Sequence, residues 1–204
     1  MPRRALAPAA ALLLFAGACN LQVFSNPKRP SRDGYRAIFV STDGRRTPIA
    51  ARPGRRRIEE GPLVRILKLP EKTTILFRTD RKLFLEAPTW PEDAIAPGYE
   101  LDAPFDPGRS FPGREVFELG DDVQAGHVCA LLRVWSSETD SAVSWVAKDL
   151  DRLLVRIQWQ RVEAGEFKNV KTEELLGVRP GADESLFRAP EGFRRASSRE
   201  DLRK

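Results

Sequence analysis

VRILKLPEKTTILFRTDRKLFLEA, residues 64–87, contains three short apolar segments divided by two turns. Val64–Leu69, Thr73–Arg78 and Lys82–Ala87 are each of strand length, rich in β-branched and aromatic residues, with PEK and TDR between them. This spacing predicts an antiparallel meander. Upstream, in YRAIFV, Tyr35, Ala37 and Phe39 fall on one face and Arg36, Ile38 and Val40 on the other, with a hairpin turn at Asp43–Gly44. A further segment spans Arg56 to Glu60. Downstream, REVFEL (Arg114–Leu119) and GHVCALLRVW (Gly126–Trp135) read as strands.

Ala142 to Val162 satisfies two periods. Val143, Val146, Leu150, Leu153, Leu154 and Ile157 have helical spacing, whereas Val155, Ile157 and Trp159 alternate with Arg156, Gln158 and Gln160. The charged break KDLDR at Lys148–Arg152 and the β-branched content favour two strands. Phe167 to Leu175 reads as another strand, and Asp183 to Phe187 as a short helical turn. Between these runs, residues 88–113 are rich in Pro and Gly and follow neither period; such a loop suits a lid, or a surface excursion held by Trp90, Tyr99, Phe105 and Phe111. The expected fold is mainly β: one large curved antiparallel sheet with minor short helices.

The N-terminus is of another kind. Arg3 and Arg4 precede an apolar run from Ala9 to Phe15, then Ala16, Gly17 and Ala18 lead into Cys19. This is the layout of a secretory signal peptide, and the run is shorter than the ~20 residues a membrane span needs. Cysteine directly after the small residues resembles a bacterial lipoprotein lipobox, with Ala16 where Leu is usual. That implies Cys19 acylated as the new N-terminus; ordinary secretion is the alternative. Residues flanking Arg3–Arg4 lack the twin-arginine pattern. Asn20, not Asp, follows Cys19, which by the same resemblance favours the outer membrane, facing the periplasm, with the inner membrane or the cell surface left open. The expected organisation is a signal peptide over 1–18, lipidated Cys19 and a tether over 19–34, a β domain over 35–193, and a charged, frayed tail over 194–204.

Composition narrows the function. The net charge is +5, of which Arg3 and Arg4 leave with the signal peptide, and the bases are interleaved with acids. A nucleic-acid partner would need a basic stripe. The densest cluster, Arg55–Arg57, reads as a solvated turn. With Cys19 lipidated, Cys129 is left without an intramolecular disulfide partner, and His127 beside it does not make a metal set. Residues i and i+2 on a strand are ~6–7 Å apart, so His127 and Cys129 are no nucleophile pair. The acid pairs Glu59–Glu60, Asp121–Asp122 and Glu173–Glu174 point to opposite faces on strands. There is no P-loop, G-x-S-x-G, H-E-x-x-H or dinucleotide fingerprint. Neither a cofactor nor an enzyme is expected.

Three local patterns carry a family likeness: Gly126-His127-Val128-Cys129; Trp145 followed by a charged turn and Leu154-Val155-Arg156-Ile157; and the ending Gly181–Phe187 with Ala189-Pro190-Glu191-Gly192-Phe193. Over residues 35–193 the chain resembles the LolA-like outer-membrane lipoprotein-sorting superfamily. The resemblance implies a half-open β-barrel whose apolar cavity holds a hydrophobic ligand such as a lipid or a lipoprotein acyl chain. Acylation at Cys19 is closer to the anchored LolB-like receptor than to the soluble carrier. Trp135, Trp145 and Trp159, on neighbouring strands, are the candidate cavity lining, with residues 88–113 as the gate; core packing is the alternative. The rival function is a structural or protein-interaction lipoprotein with a filled core.

Overall fold

The computed structural model describes residues 28–90 and 102–203. Helix α1 (Pro30–Asp33) leads into β1 (Tyr35–Val40), β2 (Arg46–Arg52), β3 (Arg55–Glu60), β4 (Leu63–Lys68), β5 (Thr73–Arg78) and β6 (Leu83–Pro88). Helix α2 (Pro107–Ser110) precedes β7 (Val116–Gln124), β8 (His127–Trp135), β9 (Asp140–Ala147), β10 (Leu153–Glu163) and β11 (Glu166–Pro180). A 3-10 turn (Glu184–Phe187), the short strand β12 (Arg194–Arg195) and helix α3 (Arg199–Arg203) follow.

The twelve strands form one sheet in the order β12-β6-β5-β4-β3-β2-β1-β11-β10-β9-β8-β7. It is two meanders, β1–β6 and β7–β11, joined where β1 pairs with β11. Neighbours are antiparallel except β12 beside β6. Tight hairpins at Ala125–Gly126 and Ala164–Gly165 have positive φ at both central residues, the twist that suits a right-handed sheet. The ambiguous segment is indeed two strands, because Asp151 and Arg152 both take positive φ and end any helix there.

The sheet is open and curved. Strands four places apart in a flat sheet lie ~19 Å from one another. Yet Gln124 on β7 donates to Glu174 on β11 at 3.2 Å and accepts from Arg156 on β10 at 3.1 Å. The β7–β8 hairpin therefore bends over one face.

Register defines the two faces. The first carries Tyr35, Ala37 and Phe39, which join Ile49, Ile58, Leu132, Ala142, Ile157 and Leu175 in one buried cluster. Phe105 enters that cluster from the segment before α2. On the second face Val64, Ile66, Ile75 and Phe77 are covered by Phe187, with Phe193 packed edge-on to Phe77 at 5.7 Å. The unbroken apolar run of β5 follows from cover on both sides, since Leu76 on the first face packs with Leu202 of α3.

Three expectations are corrected. The tail does not fray: β12 pairs with β6, and Ala196 and Leu202 are buried. The end of the tether, α1, packs on β2, and Gly34 and Asp33 accept hydrogen bonds from Gly181 and Ala182. Arg55–Arg57 form a strand, not a turn. Arg55 pairs with Glu184, Arg56 with Asp102 and Arg57 with Glu59. Of the expected loop, 102–113 contains α2 and the buried Phe105, while residues 91–101 lie outside the described residues.

Candidate functional site

The register separates the tryptophans. Trp145 lies opposite Leu131 and Trp135 opposite Ser141, both on the second face. Trp159 lies opposite Ala142 and Lys171, on the first. The expectation that all three line one cavity is therefore corrected, and the cause is the β-bulge between Leu154 and Arg156. One extra residue sends every later side chain of a strand to the other face.

Each tryptophan has its own setting. Trp145 is buried; its Nε1 donates to Asp122 Oδ2 at 3.0 Å and the Arg156 guanidinium stacks on it. The bond from Trp145, followed by that from the Val123 backbone, holds the Asp122 carboxyl below its ordinary pKa. Trp135 packs against Phe167 at 5.8 Å, and the Arg133 guanidinium lies over that Phe ring at 4.4 Å. Trp159 carries the Lys171 ammonium over its ring. These are packing and cation–π roles.

Cys129 is fully buried and its thiol donates to the His127 carbonyl; burial pushes its pKa up, the reverse of an activated nucleophile. His127 Nδ1 meets Asp149 instead, at 2.8 Å. Among the described residues no group of three potential metal ligands converges, and no helix is long and apolar enough to cross a membrane. Cys19 lies outside the described residues.

The geometry also defines a site that the tryptophan pattern did not indicate. On the second face a groove of about 420 Å3 runs over β1, β2, β3 and β11. Ile38, Pro48 and Ala50 form its floor, Leu186 of the 3-10 turn its wall, and Arg36, Arg57 and Arg179 its rim. The turn is held in place from several directions. Asp183 accepts from the Ser185 amide at 2.8 Å, Glu184 pairs with Arg52 and Arg55, and Arg57 donates to the Leu186 carbonyl at 3.0 Å. In size and lining the groove is of the kind that holds small apolar ligands. The alternation of YRAIFV placed Arg36 and Ile38 on one face, but nothing local shows that Arg179 and Leu186 meet them.

No family model matches the sequence, and no curated protein does. Among solved structures, the chain is similar to an uncharacterized conserved protein from Thermus thermophilus, with 12% identity, 81% of this chain and 90% of that one covered, and a TM-score of 0.49. The Pseudomonas aeruginosa MucA/MucB complex is matched with 14% identity over 77% of this chain, a TM-score of 0.42, and only 56% of that chain spanned. A LolA superfamily protein from Nitrosomonas europaea is matched with 9% identity over 79% of this chain and 92% of that one, at a TM-score of 0.27. All three likenesses have TM-scores below 0.5 and identities of 9–14%, and they say nothing of ligand or partner.

Proposed function

We propose that this chain is a non-catalytic cell-envelope protein, anchored through acylated Cys19 in the outer membrane and facing the periplasm, that binds a hydrophobic ligand. The observation that carries the binding reading is the groove beside Leu186, with an apolar floor and a volume of about 420 Å3. The ligand, a lipid or acyl chain, lies on the second face and not among the three tryptophans. Burying a chain there gains ~0.8 kcal/mol per methylene removed from water, so about ten methylenes supply ~8 kcal/mol against the cost of association.

The test is uptake of a fluorescent fatty acid by the full-length chain, compared with Leu186→Glu. Leu186 is half-buried, so the variant keeps its fold, which thermal unfolding checks. Uptake lost in a folded variant supports the reading. Absence of uptake by the unaltered chain, or uptake that ignores the substitution, overturns it.

A second reading rests on β7. This edge strand exposes Val116, Phe117, Leu119 and Val123, up to 65% for Val123. Interleaved with Glu118, Asp121 and Asp122, these residues lie on an unpaired strand edge, and such an edge is a template for another strand. Protein docking there is the function that stands if the groove takes no ligand.

A further inference from the structure

We propose that the groove selects an anionic amphiphile, with its head held between Arg36 and Arg179 and its single chain along Ile38, Pro48 and Leu186. This rests on the reading of the groove as a hydrophobic-ligand site and names the class of ligand.

Register brings the charges together. Arg179 of β11 lies directly opposite Arg36 of β1; across β1 the row continues with Ala50 and then Arg57. Like charges placed directly opposite each other destabilise a sheet. Elsewhere in this neighbourhood such charges are neutralised. Glu184 holds Arg52 and Arg55, and Glu59 together with the Leu186 carbonyl holds Arg57. Among the described residues Arg36 and Arg179 have no side-chain hydrogen-bond or ion-pair partner, and both are exposed. Glu59, the acid that lines the groove, is already occupied by Arg57. An unneutralised pair of guanidinium groups therefore remains, a geometry that suits a carboxylate or phosphate head.

The next row on the same face is apolar: Leu176, Ile38 and Pro48 lie side by side. Positions i and i+2 on a strand are separated by ~6–7 Å. Cationic and apolar rows so close together match the head and the first methylenes of one amphiphile. They do not match a free anion, which would use the arginines alone. The volume, about 420 Å3, is that of a small-molecule site, whereas a protein partner needs a broad surface of ~800 Å2 on each side. Arg36 also borders a second hollow, of mixed charge, where Lys28 and Arg52 lie with Asp33 and Asp183.

The experiment is calorimetric titration of the full-length chain at neutral pH. The probes are dodecyl phosphate, uncharged dodecanol, dodecyltrimethylammonium, inorganic phosphate and a poly-glutamate hexapeptide. Dodecyl phosphate is expected to bind at least about tenfold tighter than dodecanol, as charge-assisted hydrogen bonds warrant. In R36Q/R179Q the two affinities converge while the melting temperature holds or rises, because the like-charge contact is gone. Equal binding of the charged and uncharged probes overturns the headgroup inference but leaves the groove reading intact. Inorganic phosphate binding as tightly as dodecyl phosphate, or preference for the hexapeptide or the cationic amphiphile, also overturns it. If no amphiphile binds, the groove reading itself fails.

Discussion

Replacing Phe187 with alanine tests how the groove is built. Phe187 is 1% exposed and rests on the second face among Val64, Ile66 and Phe77, which are equally buried. Truncating a core phenylalanine costs ~3–5 kcal/mol, of which the cavity left behind is a part. The polar contacts of the same turn do not make this good: Glu184 is 40% exposed, and ion pairs of that kind contribute ~0–1 kcal/mol each. A domain of this size loses ~2–4 °C of Tm per kcal/mol, so the variant should melt roughly 6–20 °C lower. Differential scanning calorimetry gives the number. Phe187→Leu, which keeps most of the volume, should lose less than half as much. The ligand assay adds a second readout, since Leu186 hangs from the same turn and uptake should weaken below the melting transition. A fall of less than about 3 °C would mean that Phe187 does not seat residues 182–193 on the sheet, and the wall of the groove would then need another explanation.

Trp145→Phe removes the indole donor to Asp122 while keeping the ring. Asp122 is depressed in the folded chain, so its contribution is complete above the ordinary carboxylate pKa and is lost as pH falls through the lowered folded value. The stability gap between wild type and variant should be widest at neutral pH and narrow on acidification. A gap that is constant with pH in calorimetry sinks this assignment. Cys19→Ala should abolish metabolic labelling with an alkynyl palmitate and move the protein from the membrane to the soluble periplasmic fraction. Retention in the membrane without label would point to another anchor.

How much was legible depends on how local the cause was. Residues 64–87 announce their strands because each turn and each apolar run is contained in a few residues. The two strands of 140–163 were legible from the charged turn at Lys148–Arg152, despite a competing helical period. The faces of the tryptophans were not. Trp135 and Trp145 keep a common face across the regular β8–β9 ladder, but the bulge at Leu154–Arg156 turns Trp159 away. A bulge leaves little mark in composition, and it reverses every inference drawn from alternation beyond it. The folded tail escaped for a different reason: its anchors, Ala196 and Leu202, are two apolar residues in a charged run, and only the uncovered Leu76 explains them.

The same device accounts for the groove. Between Arg36 and Ile38 the β1–β11 register shifts, so that Arg36 faces Arg179 whereas Ile38 faces Leu176. Arg179 and Leu176 are three residues apart, a spacing that would put them on opposite faces of a regular strand. The bulge brings both onto the second face, where β11 presents an arginine beside a leucine next to the matching pair on β1. Had the ladder been regular, Arg179 would have shared a face with Tyr35 and Phe39, or Leu176 would have joined the interior, and the two rows would not have lain side by side on the second face. The seam between the two meanders is thus the place where an irregularity in register is tolerated and where it creates a surface that is basic on one row and apolar on the next. Bulges are common beside functional sites because they re-aim side chains in this way, and here the re-aimed residues are the ones left without partners.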